Sequence, residues 1–202
     1  STQFANVGSS VEQKAVVLTD YDFGGGFYES LIDIWGKNDT SFTFQYVVVD
    51  GNGKILARSK KQQPGSDGSC RFDMSSHTTF KNYYTGEGTA YFGVDGNNDK
   101  YNIFLDIQAE STGGDNDWRL GLLFWGPDGV ELNGWDADGY TDFVKWDNND
   151  FISGDTDMSV SSMATGKEVI SVGAFASKTS YTAIDGKDYS YMSLRENDIV
   201  SF

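Results

Sequence analysis

Apolar and polar residues alternate in short runs over most of the chain, from about residue 11 to residue 146. Because successive side chains of a strand point to opposite faces, this period of two is typical of half-buried β-strands. In one such run, 42–49, the apolar face consists of Phe42, Phe44, Tyr46 and Val48. The glycines and asparagine of 50–53 suit a hairpin turn, so 54–59 is expected to be the partner strand.

Two later runs carry the same signal. The run after the turn 95–99 has an apolar face made of Tyr101, Ile103, Leu105 and Ile107. The run 118–125 is apolar on both faces from Leu122 onward, which favours a position in the middle of a sheet, and after the turn 126–129 another strand is expected over 130–135. About eight strands and no long helix before residue 150 predict a mainly β fold, a jelly-roll-like antiparallel β-sandwich over residues 1–152.

The character of the chain changes after residue 146. Polar residues dominate 147–150 and 154–157, and an apolar run, Val-Ile-Ser-Val-Gly-Ala-Phe, then occupies 169–175 as a fully buried parallel strand would. The segment 153–202 is too short for an independent core, so it is expected to pack on the sandwich or on other parts. An unpaired edge at 169–175 would favour dimerisation or swapping through that strand.

Composition and charge narrow the function classes. The chain contains 5 Trp, 11 Tyr and 14 Phe, so large rings are expected to build the core. The net charge of -15 repels phosphate, which argues against a nucleic-acid partner. The single cysteine, Cys70, cannot form an internal disulfide, and no stretch reaches the roughly 18 apolar residues of a membrane span.

Two acidic loops, 95–99 and 136–142, have the carboxylate density that calcium sites need. Calcium takes about six to eight oxygen ligands, and neither loop has the spacing of an EF-hand. Solvated turns and no bound cofactor are therefore expected, with calcium as the alternative.

Two motifs near the end of the chain indicate a family. Residues 163–175 read M-A-T-G-K-E-V-I-S-V-G-A-F and residues 197–202 read N-D-I-V-S-F. This pair resembles the subtilisin-like serine peptidases, in which a stretch close to P-A-T-A-K-x-V-I-T-V-G-A-Y forms a buried strand and I-x-S-F-S-S-x-G-P-T follows. The chain has Met163 where proline is usual and Gly166 where alanine is usual. Since the second motif is cut at Phe202, the chain is expected to be a piece of a longer protein.

The resemblance implies a parent that hydrolyses peptide bonds with an Asp, His and Ser triad. The one histidine, His77, lies in S-S-H-T-T and not in an H-G-T context, so it is expected to be a solvated loop residue; no G-T-S-x-A-x-P or A-x-G-N motif is present. Some bacterial subtilases carry a jelly-roll domain between the catalytic histidine and serine, and the order here is similar. The resemblance therefore implies a non-catalytic, extracytoplasmic fragment without catalytic, cofactor or metal residues, whose partner is the remainder of the parent peptidase and whose role is structural or access-controlling.

A carbohydrate-binding jelly-roll module is the alternative, because flat aromatic rings stack on pyranose faces. The candidate platforms are Trp118, Trp125, Trp135 and Trp146, although most of these indoles are expected in the core. This alternative explains the sandwich but not residues 163–202. A complete enzyme acting through paired carboxylates is a third alternative, since 30 acidic residues are available.

Overall fold

The computed structural model describes residues 2–7, 13–19, 27–113, 118–126, 130–137, 141–144, 151–154 and 178–190. The chain divides into two compact units, Ser1–Ser159 and Val160–Phe202. The sequence-based boundary after residue 152 stays a prediction.

The first unit contains eleven strands in its described residues, more than the about eight that alternation indicates. The one helical segment among those residues is a short 3-10 turn, Phe80–Asn82. The strands are β1 (Thr2–Val7), β2 (Gln13–Thr19), β3 (Phe27–Gly36), β4 (Thr43–Asp50), β5 (Ile55–Arg58), β6 (Asp67–Asp73), β7 (Tyr84–Val94), β8 (Tyr101–Ser111), β9 (Trp118–Trp125), β10 (Val130–Asp136) and β11 (Asp142–Val144).

These strands form two antiparallel sheets. The six-stranded sheet has the order β1-β10-β3-β8-β7-β6, and the five-stranded sheet has the order β11-β2-β9-β4-β5. Successive strands alternate between the sheets from β1 to β4 and again from β8 to β11, which is the winding of a jelly roll, while the hairpin β6–β7 extends the first sheet beyond β8. The prediction of a mainly β, antiparallel sandwich is confirmed.

Aromatic rings fill the space between the two sheets, as the composition predicted. Tyr46 stacks on Phe72 with ring centroids 5.3 Å apart, and Phe72 meets Phe80 edge-on at 4.9 Å. The two apolar faces predicted from alternation are both buried, which confirms the strand assignments; they consist of Phe42, Phe44, Tyr46, Val48, Tyr101, Ile103, Leu105 and Ile107.

The five-stranded sheet is also apolar on its outer face. A second buried cluster joins β4 and β9 to a residue that follows the described strands of the sandwich, and its members are Val47, Val49, Leu123, Trp125 and Phe151. Strand β9 is paired on both edges, with β2 and β4, and its residues 120–125 are buried on both faces. The prediction of a central strand at 118–125 is therefore confirmed.

Several sequence predictions fall on residues that the structure does not describe. These are residues 127–129 of the turn predicted at 126–129, the two peptidase-like motifs at 163–175 and 197–202, and the strand 169–175 with its expected dimerisation. In the second unit the described residues form one antiparallel hairpin of β12 (Ser180–Thr182) and β13 (Asp188–Ser190), on which Tyr181 stacks against Tyr189.

A close approach inside the core gives a testable stability prediction. A Cβ atom on Gly88 would lie 2.7 Å from the Tyr46 hydroxyl oxygen, which is buried and has no hydrogen-bond partner among the described residues. Gly88→Ala should therefore lower the free energy of unfolding by about 1–3 kcal/mol, measured by urea denaturation. Gly96→Ala, where the added Cβ meets nothing within 4 Å, is the control. Equal unfolding midpoints for the two variants would contradict the packing described here.

The chemistry of Cys70 gives a second prediction. Burial raises the pKa of its thiol, and the thiolate is the reactive form, so the folded protein should react slowly with a disulfide reagent at about pH 8. The rate should rise with pH, and unfolding in denaturant should accelerate the reaction at a fixed pH. Because the chain has 1 cysteine, the reaction reports this site alone. Equal rates for the folded and unfolded chains would show that the thiol is not perturbed.

Candidate functional site

The outer face of the six-stranded sheet carries an ordered set of aromatic and polar side chains. Since side chains alternate along a strand, the residues between the buried positions of β3 and β8 point away from the core. The pairing places Asp33 opposite Phe104 and Trp35 opposite Asn102. On the next strand, Tyr91 lies opposite Phe104. Two adjacent cross-strand rows therefore bring these residues together.

These rows line an open groove of about 560 Å³, a volume within the roughly 300–1,000 Å³ of small-molecule sites. We call it the sheet-face groove. Its lining includes Asp33, Trp35, Asp67, Tyr91, Asn102 and Phe104.

Asp33 holds two of the other groove residues in place. One carboxylate oxygen accepts a hydrogen bond from the Trp35 indole N–H at 2.8 Å, and the other accepts one from the Asn102 amide at 2.6 Å. The same amide nitrogen also donates to the Ile34 carbonyl at 3.1 Å. Hydrogen bonds to a charged acceptor are about twice as strong as neutral ones, so the three side chains are fixed relative to one another. We call this arrangement the Asp33 clamp.

A glycine keeps the groove open. Gly93 lies between Asn102 on β8 and Asp67 on β6 in the cross-strand pairing. A Cβ atom at this position would come within 2.9 Å of an Asp67 carboxylate oxygen. Tyr91 stands nearby at the rim with 51% of its surface exposed. The groove therefore has no side chain at Gly93 and has the Tyr91 ring at its edge.

The polar and aromatic character continues onto β10. Trp135 lies opposite Asp33, and Asn133 lies opposite Trp35. The Asn133 side-chain oxygen is buried and finds no hydrogen-bond partner in the described part of the chain. The outer face thus offers two neighbouring tryptophans and several side-chain acceptors.

The four tryptophans proposed as sugar platforms have different surroundings. Trp135 lies on the outer face just described, whereas Trp125 is only 5% exposed and has the Lys61 ammonium 3.9 Å from its ring centroid. Trp118 is half-buried and packs edge-on against Tyr83 at 5.2 Å. Trp146 lies outside the described residues.

The groove residues Trp35, Phe104 and Tyr91 were not among the site candidates predicted from the sequence. A signal was present, because Phe104 is a large apolar ring on the otherwise polar face of the run 101–107. Trp35 likewise follows Asp33 on the polar face of its strand, next to buried Ile34. Aromatic residues on the solvent-facing side of an alternating strand are the sequence pattern that indicates such a groove.

His77 lies in a loop, as expected, but its side chain is not freely solvated. Its ring is half-buried and packs edge-on against Phe72 and Phe80, with centroids 5.4 and 5.6 Å away. Its Nδ1 lies 3.4 Å from the backbone nitrogen of Phe80, at the start of the short 3-10 turn. The expectation of a freely solvated side chain is wrong, because two core aromatic rings pack against the imidazole.

The acidic loops are partly engaged in local hydrogen bonds. Asp95 accepts the backbone N–H groups of Asn97 and Asn98, and Asp136 accepts that of Thr141. Within the residues that the structure describes, no three His, Cys, Asp or Glu side chains form a group that could hold a metal. Residues 138–140 of the second loop lie outside that part of the chain. In the described segments no helix is long and apolar enough to cross a membrane.

Comparison with known proteins adds no assignment. No protein-family model, no curated protein and no solved structure shows a significant match to the chain. Its function is therefore proposed from its own residues and geometry.

The Asp33 clamp gives a prediction that needs no ligand. Asp33→Ala removes the acceptor of the Trp35 indole N–H and one of the two acceptors of the Asn102 amide, so the free energy of unfolding should fall by about 1–3 kcal/mol. The indole N–H resonance of Trp35 should shift in a proton–nitrogen correlation spectrum. Asp39→Ala, at an exposed position of the following loop, should leave both unchanged. An unshifted Trp35 resonance in Asp33→Ala would show that the clamp does not form.

Proposed function

We propose that this chain is a non-catalytic part of a subtilisin-like serine endopeptidase, with a structural or access-controlling role in its parent. The observation that carries the proposal is the pair of motifs at 163–175 and 197–202, placed after a jelly-roll-like sandwich. The same order characterises the subtilases that carry an inserted jelly roll. An extracytoplasmic location belongs to the same proposal.

The division of the chain supports this reading. The motif residues belong to the unit Val160–Phe202, separate from the sandwich in Ser1–Ser159. An insert that folds on its own, followed by a return to the catalytic domain, would divide the chain in this way. The ring of His77 packs against Phe72 and Phe80, so a general-base role for it has no support in its contacts. Peptide hydrolysis would then depend on Asp, His and Ser residues elsewhere in the parent.

The partners follow from the same proposal. The remainder of the parent would cover residues 153–202, and peptide substrates would meet this chain only through the parent. Expressed alone, the chain would associate through 169–175, because an uncovered strand edge pairs readily with another chain. The proposal includes no cofactor, and calcium in the loop 136–142 stays an alternative.

A carbohydrate-binding jelly-roll module is the second candidate, and the sheet-face groove favours it. The groove places Trp35, Tyr91 and Phe104 beside the polar side chains of Asp33 and Asn102. The two candidates are compatible, because an inserted domain of a peptidase can carry its own binding site.

The peptidase proposal is tested first on the flanking coding sequence. An S-S-x-G-P-T continuation and a G-T-S-x-A-x-P motif after residue 202, with Asp and His motifs upstream, are expected. A stop codon directly after residue 202, together with a signal peptide directly before residue 1, would contradict the proposal.

The role of the sandwich is then tested in the purified parent. Replacing residues 1–152 with a short Gly-Ser linker should lower the melting temperature if the role is structural. If the role is access control, kcat/KM for a folded protein substrate should rise relative to that for a short chromogenic peptide. Substitution of the serine nucleophile by alanine is the inactive control. Unchanged stability and unchanged substrate preference would exclude both roles.

A further inference from the structure

We infer that the sheet-face groove binds a neutral glycan, with a pyranose ring stacked on the Trp35 indole and its hydroxyls directed to Asp33 and Asn102. This inference deepens the carbohydrate-binding candidate and is independent of the peptidase motifs. It assigns both the site and the chemical class of the ligand.

The rest of the same sheet face shows that the groove is a local feature. The cross-strand pairing aligns Asp106 with Thr89 and then with Arg71, one row away from the groove. In the row beyond, Gln108 lies opposite Glu87, and Glu87 forms an ion pair with Arg71. Such polar and charged side chains are what a solvated sheet face requires. Trp35, Tyr91 and Phe104 lie together at the end of the face where Asp33 fixes Trp35.

The Asp33 clamp orients the indole before a ligand arrives. The hydrogen bond runs from the edge of the ring, at the indole nitrogen, to the carboxylate at 2.8 Å. A ring held by its edge keeps a constant orientation, and the part of Trp35 that stays exposed is the surface on which C–H groups of a sugar can stack. Preorganisation of this kind lowers the entropy loss on binding.

The hydrogen-bonding capacity of the groove selects the ligand class. The Asn102 amide nitrogen already donates to Asp33 and to the Ile34 carbonyl, so its oxygen is the atom left for a ligand. Carboxylates accept and do not donate, and Asp67 adds another. Apart from the Tyr91 hydroxyl, which can also donate, the polar side chains of the groove therefore offer acceptors, which suit the hydroxyl donors of a sugar. Sulfate, phosphate and uronate groups are acceptors with negative charge, so the groove repels them.

The dimensions favour a glycan over a single basic side chain. The groove crosses β3, β8 and β7, a width of about 10 Å at the usual strand spacing. The Asp33 carboxylate lies at the edge of the indole. A single ammonium group that contacts the ring face is therefore not in position to contact the carboxylate as well. An extended, hydroxyl-bearing ligand reaches the ring face, the clamp and the rim at Tyr91 together.

The test uses the complete 202-residue chain in affinity gel electrophoresis and titration calorimetry. The probes are three neutral polysaccharides (a mixed-linkage β-glucan, a galactomannan and an arabinoxylan), two anionic ones (polygalacturonate and alginate) and a lysine-rich peptide. Binding to at least one neutral polysaccharide is expected, with no binding to the anionic ones. The affinity should change little with added salt, because no ion pair with the ligand is involved.

Substitutions then locate the site. Trp35→Ala and Tyr91→Ala should each weaken binding by roughly tenfold or more, the effect of losing an aromatic anchor. Tyr181→Ala is the matched control, because Tyr181 on β12 has 46% exposure against 51% for Tyr91 but lies in the other unit. Circular dichroism checks that each variant is folded, and Tyr91→Ala decides the outcome if Trp35→Ala does not fold.

The contrary outcomes are distinct. Binding to the anionic polysaccharides instead would overturn the neutral class while leaving a carbohydrate-binding module in place. Binding to the lysine-rich peptide alone would replace the glycan with a basic partner and overturn the carbohydrate candidate as well. Neutral-glycan binding that survives both substitutions would overturn the groove as its site. Absence of all binding would overturn both the inference and the carbohydrate-binding candidate. The peptidase proposal depends on residues 163–202 and would stand.

Discussion

The pairing of β3 with β8 is the constraint on which the rest of the sandwich depends. These strands pair over nine residue positions, from Phe27 opposite Glu110 to Trp35 opposite Asn102. Because side chains alternate, one register places Ile32 and Leu105 in the core and also sets the residues of the outer face. A slip of one residue would exchange the two faces. The core therefore fixes the groove, and the geometry of the Asp33 clamp follows from it.

The sequence was informative wherever the signal is local. The alternation in 42–49 and 101–107 predicted two strands and their buried faces, because period-two patterning needs only neighbouring residues. The hairpin β6–β7 gave less signal, since Gly86, Gly88 and Gly93 interrupt the alternation of β7. The groove could not be predicted in this way. Asp33 and Asn102 are 69 positions apart, and strand order together with register, neither of which is written locally, brings them into contact.

The two sheets use their outer faces differently. The five-stranded sheet is closed by an apolar cluster around Val49 and Trp125, whereas the six-stranded sheet presents polar and aromatic side chains around Trp35. In the proposed parent peptidase, the first face would suit internal packing and the second would suit a ligand. A glycan site on an inserted domain would bring the protease to glycosylated surfaces without contributing to peptide hydrolysis. If both proposals hold, the sandwich would direct the protease to its site of action.

Phe151 has a consequence for how the protein is made. It is 1% exposed and packs on the outer face of the five-stranded sheet, yet it follows the eleven described strands of the sandwich in chain order. A growing chain on the ribosome therefore completes its strands before the residue that shields Val47, Val49 and Leu123 has emerged. During that interval the nascent domain presents an uncovered apolar strip, the kind of surface that chaperones bind and that drives aggregation. Once residue 151 has emerged, it can cover this strip and protect the newly synthesised sandwich from aggregation.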